Sequence, residues 1–447
     1  MSLLTIAIVI AFVIGYACIA LESVTKVNKA AIALLMMVVC WAIFMINPGS
    51  YITGMSGDTL LNRVNSIIES HLGSTSTTLF FLMGAMTIVE IVDQNGGFNF
   101  VRDTLRTESK RSLLWRIAFL SFFLSAILDN MTTTIVMIMV LRKLIQDHND
   151  RLIYASLVVI AANAGGAFSP IGDVTTIMLW NASLITSGGV IKELIVPSLV
   201  SMIIPALIMS VQLKGKIPVL QTGTVNPEAA DLTSLQRKMI FFLGVGGLIF
   251  VPIFKYLTHL PPFVGILLVL ALLWTTTEVF YREVEHKEEK GGMNKRVSNL
   301  LSNIDTSTIL FFLGILMAVS CLEEIGVLKT VGQWLNGASG GNHYIVTGVI
   351  GVISSIVDNV PLVAGCMGMY PLAAAGDFAC DGIFWQLLAY CAGVGGSMLI
   401  IGSAAGVVAM GLEKINFMWY MKRVSWIAFL GYLAGIFSYF LIKTFIF

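Results

Sequence analysis

Charge is scarce in this chain. Asp, Glu, Lys and Arg make up 12% of its 447 residues, against about 25% in soluble domains, and the mean hydropathy is +0.87. A soluble fold is excluded. Leu3–Leu21, Ala30–Gly57, Leu152–Gly172, Leu194–Leu213, Tyr256–Thr277, Gly382–Leu412 and Val424–Ile442 hold no charged residue at all. Each is long enough to cross a hydrocarbon core, which takes about 20 residues of helix. Net charge is missing too: 27 basic against 26 acidic residues leave +1, which offers nothing to a nucleic acid. The six cysteines (Cys18, Cys40, Cys321, Cys366, Cys380 and Cys391) form no C-x-x-C pair and read as small buried hydrophobes rather than disulfides or metal ligands. No Walker A motif appears, so ATP is not the driver. Residues 1–22 lack a basic leader and a small-residue cleavage site, and read as a first span. The composition is that of an all-α polytopic membrane protein, not an enzyme, with the lipid bilayer as its surroundings and no cofactor expected.

Two runs are too long for one straight span. Leu152–Ile191 is interrupted only by Asp173, and Gly382–Leu412 by nothing. Their Gly-rich centres, Ala161-Ala-Asn-Ala-Gly-Gly166 and Ala392-Gly-Val-Gly-Gly396, predict helices that break in mid-membrane. Leu113–Leu141 and Tyr344–Ala375 each carry a central Asp-Asn pair, Asp129-Asn130 and Asp358-Asn359. Each is either a span with a polar centre or a hairpin returning to the side it left.

Basic residues decide, because cytoplasmic flanks collect them. Two hairpins and two broken spans give about ten transmembrane spans, near 3–21, 30–47, 78–95, 152–187, 195–213, 239–254, 263–280, 306–322, 384–412 and 424–446. On that scheme 22 of the 27 basic residues fall on one side, leaving Arg63, Lys192, Lys255, Lys329 and Lys443 on the other. The hairpins then enter from opposite sides. A first repeat spans 1–213 (hairpin 112–146, broken helix 152–187). A second, inverted repeat spans 239–447 (hairpin 343–377, broken helix 384–412). A polar cytoplasmic linker at 214–238 joins them, another at 281–304 lies within the second repeat, and residues 49–77 read as an outer loop with an interfacial helix. Placing the basic side in the cytoplasm of a cell (inner) membrane puts both termini outside. Sequence matches support the repeat: Leu79-Phe-Phe-Leu82 recurs as Leu310-Phe-Phe-Leu313, Ser125-x-x-x-Asp129-Asn130 as Ser354-x-x-x-Asp358-Asn359, and Gly165-Gly166 with Ile171-Gly172 as Gly395-Gly396 with Ile401-Gly402, all offset by 229–231. Inverted repeats with interrupted helices are a secondary-transporter architecture that holds its cargo near mid-membrane.

A carboxylate in the bilayer centre costs about 2.5–3.5 kcal/mol, so it is a functional candidate by default. Asp129, Asp173 and Asp358 qualify. Around them lie Ser125, Asn130, Thr132, Asn163, Thr175 and Thr176 in the first half, and Ser354, Asn359, Ser397 and Ser403 in the second. Such side chains also cap helix ends exposed at tips and breaks, and capping is compatible with holding a cation. Lys and Arg are absent from these segments and no histidine falls in a break. An anionic cargo would lack a partner there, whereas a hard cation such as Na+ suits carboxylate, carbonyl and hydroxyl oxygens. Asp129 and Asp173 are the expected Na+ ligands; Asp305 and Glu90, near span ends, are candidates for ion access.

At these residues the chain resembles the NhaD-type sodium/proton antiporters, within a superfamily that includes arsenite pumps and citrate and dicarboxylate carriers. The resemblance runs over nearly the whole chain and is most specific at Gly172-Asp-Val-Thr-Thr176. It implies exchange of Na+, often Li+, for H+, and a homodimer. It matches Asp129, Asn130, Thr132, Asn163, Asp173, Thr175, Thr176, Ser354, Asp358 and Asn359 to the family's functional positions, with Asp305 less closely matched. The second half departs from the first: Ser403-Ala-Ala stands where the first has Asp-Val-Thr. An asymmetric site is expected, with charge mainly from the first half, Asp358 organising the facing hairpin, and access alternating as the halves move. Sodium-coupled carboxylate symport and arsenite efflux are the rival readings.

Overall fold

A computed structural model describes residues 2–20, 26–52, 54–96, 105, 107, 109–213, 215, 232–285, 301, 304–356 and 359–445. The linker expected at 214–238 and that at 281–304 fall largely outside these residues, as does Asp358. Helices account for nearly everything described. In chain order they are α1 (Leu3–Ala20), α2 (Lys29–Ile46), α3 (Gly57–Gln94), α4 (Lys110–Leu128), α5 (Asn130–Leu144), α6 (His148–Ala167), α7 (Val174–Asn181), α8 (Ser187–Gln212), α9 (Ser234–Thr258), α10 (Pro262–Glu285), α11 (Thr306–Glu324), α12 (Val327–Ala338), α13 (His343–Ser354), α14 (Asn359–Met369), α15 (Ile383–Gly395) and α16 (Ala404–Glu413). The last, α17, runs Phe417–Phe445 with a π-helical turn at Met421–Ser425. Among the described residues, 8 helices are long and apolar enough to cross a membrane, with shorter apolar helices between them. The protein is a multi-pass membrane protein.

Both hairpins form. The end of α5 and the start of α6 return to where α4 began: Tyr154 OH donates to Lys110 O at 2.8 Å, Lys110 pairs with Asp150, and Arg151 Nη1 donates to Ile145 O at 3.0 Å. The end of α16 arrives at the same place. Arg142 Nε donates to Glu413 Oε1 at 2.7 Å and Arg151 Nε to Glu413 Oε2 at 2.6 Å, with the Glu413 side chain 1% exposed. Arg111, at the start of α4, reaches Ser210 O at the end of α8. At the other end of the molecule His343 pairs with Asp377 at 2.7 Å, joining the feet of the second hairpin. There Asp381 accepts from Thr186 N and Oγ1 at 2.7 and 2.6 Å, and Lys443 meets Glu193 at 2.7 Å. Because α8 and α17 each join one end to the other, the two hairpins enter from opposite ends. The repeats are inverted.

Packing repeats under exchange of the halves. α2 packs on α11 and α10 on α3; α4 packs on α6 and α13 on α15; α5 packs on α16 and α14 on α7. Two bodies emerge. α1–α3 and α9–α11 form a framework, while hairpins, broken helices, α8 and α17 form a core. They meet mainly through α11 against α14, α3 against α7 and α9 against α4.

Three local expectations are corrected. The breaks do not sit in the Gly-rich stretches: α6 runs through Gly165-Gly166 and unwinds over 168–173, and α15 likewise unwinds only after Gly395. The glycines serve packing instead. A Cβ on Gly165 would lie 2.0 Å from Phe122 O and one on Gly395 2.2 Å from Gly351 O, so each lets a hairpin arm touch a broken helix backbone to backbone. The first break falls at Ser169-Pro170, where proline removes a helical donor. Second, the helix expected in the outer loop at 49–77 is not a separate interfacial one but runs on into the third span. Residues 57–94 form one 38-residue rod, about 57 Å at 1.5 Å per residue, whose polar first half projects beyond the span. Third, α12 was not anticipated; it lies against α14, with Tyr370 OH donating to Gly332 O at 3.2 Å.

Two measurements check this arrangement. Single cysteines at Ser109 and Asn149 should be labelled from one side of the membrane only, and cysteines at Asn342 and Gly376 only from the other; mixed labelling within either pair overturns the hairpins. The double change Arg142→Met, Arg151→Met strands the buried Glu413 carboxylate and should cost about 3–5 kcal/mol of stability. Glu413→Gln frees two partly exposed guanidiniums to hydrate and should cost less. Thermal melting of the purified protein ranks the two, and the reverse order overturns the clamp.

Candidate functional site

The tips and breaks converge at the centre of the core. Asp173 precedes α7 and is 2% exposed. Its Oδ2 accepts from Asn359 Nδ2 at 3.0 Å and Asn130 Nδ2 at 3.4 Å, so the tip residue of each hairpin grips one carboxylate. Asn130 Nδ2 also donates to Asn163 Oδ1 at 3.0 Å. Asn163 Nδ2 in turn donates to Ser397 Oγ and Ser403 Oγ, both at 2.9 Å, in the second break. Asn130, Asn163, Asp173, Asn359, Ser397 and Ser403 are therefore one hydrogen-bonded network crossing between repeats. Asn163, Asp173, Ser397 and Ser403 are each no more than 2% exposed.

The remaining candidates fall outside that network. Asp129 caps α5: its carboxylate accepts from Thr132 N at 2.7 Å and Thr132 Oγ1 at 2.8 Å. Its φ of 106° is a conformation suited to glycine, which costs other residues about 1–3 kcal/mol and clusters at functional sites. Ser125 donates to Ala162 O at 2.6 Å and Ser354 to Ala392 O at 2.9 Å, so this pair fastens each hairpin to its broken helix. Thr176 receives the Asp173 N–H at 3.3 Å and donates to Asp173 O at 2.8 Å, closing the start of α7. Asp305 caps α11, accepting from Thr308 N at 3.1 Å, and Glu90 receives Gln94 Nε2 at 3.0 Å. Both belong to the framework. Asp358 lies outside the described residues.

Two hydroxyls in the segments that build the site are left over. Thr175 Oγ1 and Thr133 Oγ1 are buried without a hydrogen-bond partner. A buried unsatisfied polar group costs about 1–3 kcal/mol, and a cation would engage the hydroxyl lone pairs. The sequence holds no Lys, Arg or His over 117–141, 152–191, 344–376 or 384–413, so the segments that build the site bring no positive charge of their own. Rotating the Asn130 and Asn359 amides by half a turn replaces their N–H donors with carbonyl acceptors. The same side chains then serve an ionised Asp173 alone or a cation beside it.

Sequence reasoning missed Gly393 and Tyr420. Gly393 stands 230 residues from Asn163, and a Cβ there would lie 3.1 Å from the Cβ of Ala167 and 3.5 Å from Asp173 Oδ2. The second repeat thus leaves room where the first places an amide, a signal contained in the repeat offset. Tyr420 OH donates to Ser397 O at 2.8 Å, and nothing in the repeat pattern marks it.

A family model described as citrate transporter matches residues 16–387. The chain is 45% identical to sodium/proton antiporter 1 of Arabidopsis thaliana over 97% of its own length and 72% of the relative's. It is 43% identical to sodium/proton antiporter 2 of the same plant over 97% and 99%, and 30% identical to the Na+/H+ antiporter NhaD of Vibrio cholerae over 96% and 90%. Its fold is similar to that of the Alcanivorax borkumensis YdaH transporter, with a TM-score of 0.57 at 11% identity, covering 94% of this chain and 99% of that one.

The orphaned hydroxyl supplies a prediction. Thr175→Val removes a group that bonds nothing in the protein, so melting temperature without added ions should hold or rise. The stabilisation produced by added sodium chloride over choline chloride should shrink. A lower melting temperature with undiminished sodium stabilisation overturns the assignment.

Proposed function

The chain belongs to the citrate-transporter family, and from that membership we propose that it exchanges Na+ for H+ across the membrane by alternating access, as its antiporter relatives are named for doing. One observation carries the reading: a buried carboxylate, Asp173, is gripped by neutral amides from both hairpins in segments without a basic residue. That chemistry favours a small cation or a proton over an anion. Sodium and a proton compete for the same carboxylate oxygens, so each leaves as the other arrives. Asp129 is the second proposed carboxylate ligand, Thr132, Thr175 and Thr176 supply oxygens on the same side, and Asp358 orders the opposing tip. Lithium, chemically close to sodium, is a further proposed substrate.

Separating the two halves would tear the bonds from Asn359 to Asp173 and from Asn163 to Ser397 and Ser403, all of which cross between repeats. The packing favours a different motion, with the core moving as a unit against the framework. On this proposal the basic end faces the cytoplasm of a cell membrane, both termini lie outside, and the framework provides the contact for a homodimer.

Everted vesicles test the reading. Added sodium or lithium should collapse an imposed pH gradient, and indifference to both sinks it. Asp173→Asn and Asp129→Asn keep the size of each side chain and remove its charge; either should abolish exchange with insertion intact. Normal exchange in both variants means the carboxylate lies elsewhere. Uptake of labelled citrate without pH collapse would favour the symport reading instead.

A further inference from the structure

The start of α17 reads Phe417-Met-Trp-Tyr-Met-Lys-Arg-Val-Ser-Trp426, aromatic and basic in the manner of a membrane–water boundary. Here the helix widens into the π turn over Met421–Ser425, a distortion that costs regular hydrogen bonding and recurs at functional sites. The buried Ser425 hydroxyl in this turn has no partner. Against the turn, between α6, α8 and α17, lies a cavity of about 180 Å³. An apolar void of about 150 Å³ takes up a benzene ring, so this space holds a group of that size or larger.

Its lining has two characters. Arg423, Gln212, Asn149 and Trp419 bring polar atoms, while Ile153 and Met209 supply an apolar wall. Four cations at this end of the core are engaged: Arg142 and Arg151 by Glu413, Lys110 by Asp150 and Arg111 by Ser210 O. Arg423, Gln212 and Asn149 differ, since none of their side chains is hydrogen-bonded or ion-paired to another described residue. One guanidinium and two amides, all on exposed residues, therefore line the cavity without a protein partner.

We infer that this cavity receives the phosphate of an anionic phospholipid, with Arg423 on the phosphate, Gln212 and Asn149 on the glycerol and ester oxygens, and the first acyl carbons along Ile153 and Met209. Charge and shape select a lipid over free phosphate. A phosphodiester carries one negative charge, which one guanidinium balances; inorganic phosphate at neutral pH brings nearly a second, which no other lining residue meets. The apolar wall suits an acyl chain and gives free phosphate nothing. Met418, Met421 and Trp426, exposed on the same stretch of α17, place the mouth at headgroup level.

The test uses the full chain, purified in detergent, with phosphatidylglycerol, phosphatidylcholine or inorganic phosphate added, read by native mass spectrometry and by melting temperature. Wild type should retain phosphatidylglycerol and be stabilised by it, with little effect from the other two. Arg423→Gln should retain it about fivefold more weakly or worse, the weight of one basic residue at an anionic surface. Lys422→Gln, which removes a neighbouring charge that does not line the cavity, should match wild type. Asn149→Trp fills the mouth without altering charge and should also lose the lipid, which keeps the test open if the Arg423 variant fails to insert. Equal retention by Arg423→Gln and wild type overturns the inference, and so does equal stabilisation by phosphatidylcholine or by inorganic phosphate. Lipid binding is read here without transport, so its failure leaves the ion-exchange reading standing, and the reverse.

Discussion

Burying one carboxylate in an apolar helical protein is the constraint on which the architecture depends. Asp173 is 2% exposed, and an ionised group out of water is tolerated only with hydrogen bonds or an opposite charge around it. A regular helix has already spent its backbone donors and acceptors, so straight spans alone are poor at providing them. Breaking two helices and inserting two hairpins brings four polar chain ends to one place at the centre of the core. The tip amides of Asn130 and Asn359 meet there on one oxygen atom. Glycine at 165 and 395 is the steric condition, since only without a Cβ do hairpin and broken helix approach closely enough.

Duplication supplies symmetry, and the site is made by departing from it. Asn130 and Asn359 occupy corresponding positions and do the same thing. Asp173 corresponds to Ser403, Asn163 to Gly393 and Ala167 to Ser397. The first repeat contributes charge and an amide; the second contributes space and two hydroxyls. A faithful copy would have placed a second carboxylate close to Asp173 in the same dry volume, and two like charges there repel. Serine at 403 keeps the helix cap, accepting from Gly406 N at 3.2 Å, without the charge. Selection of one carboxylate and one hydroxyl thus follows from the cost of burial.

The fold was legible where many weak signals add. The sorting of basic residues disclosed both hairpins because every loop contributes to it, and Asp173 stood out because a lone charge in a long apolar run is costly. Signals with two physical meanings failed. Gly165-Gly166 reads equally as a break or as a packing surface, and only the 2.0 Å a Cβ would leave to Phe122 O separates them. Residues 57–77 read as a separate interfacial helix, and their polarity hides that the helix runs unbroken into the span. Side-chain direction was not legible at all. Ser125 and Asp129 are four residues apart, but the helix ends at Leu128, and Asp129 turns away to hold Thr132 while Ser125 reaches Ala162.

The same bonds bear on how such a site opens. Ties between the repeats lie at the centre and at both ends of the core: Asp173 with Asn359, Glu413 with Arg142 and Arg151, and Asp381 with Thr186. Each joins a segment of one repeat to a segment of the other, so a motion that parted the repeats would break polar contacts at three depths together. Contacts between core and framework are of another kind. α11 against α14 and α3 against α7 meet with fewer polar ties, chiefly Asn181 Nδ2 to Thr78 Oγ1 at 3.4 Å, while from α9 Lys255 Nζ donates to Trp180 O at 2.9 Å. Apolar contact is non-directional, so the rest of such a face slides over its partner at the cost of these few bonds. Displacement of the whole core therefore costs less than opening it, and the polar network that holds the ion also makes the core the moving body.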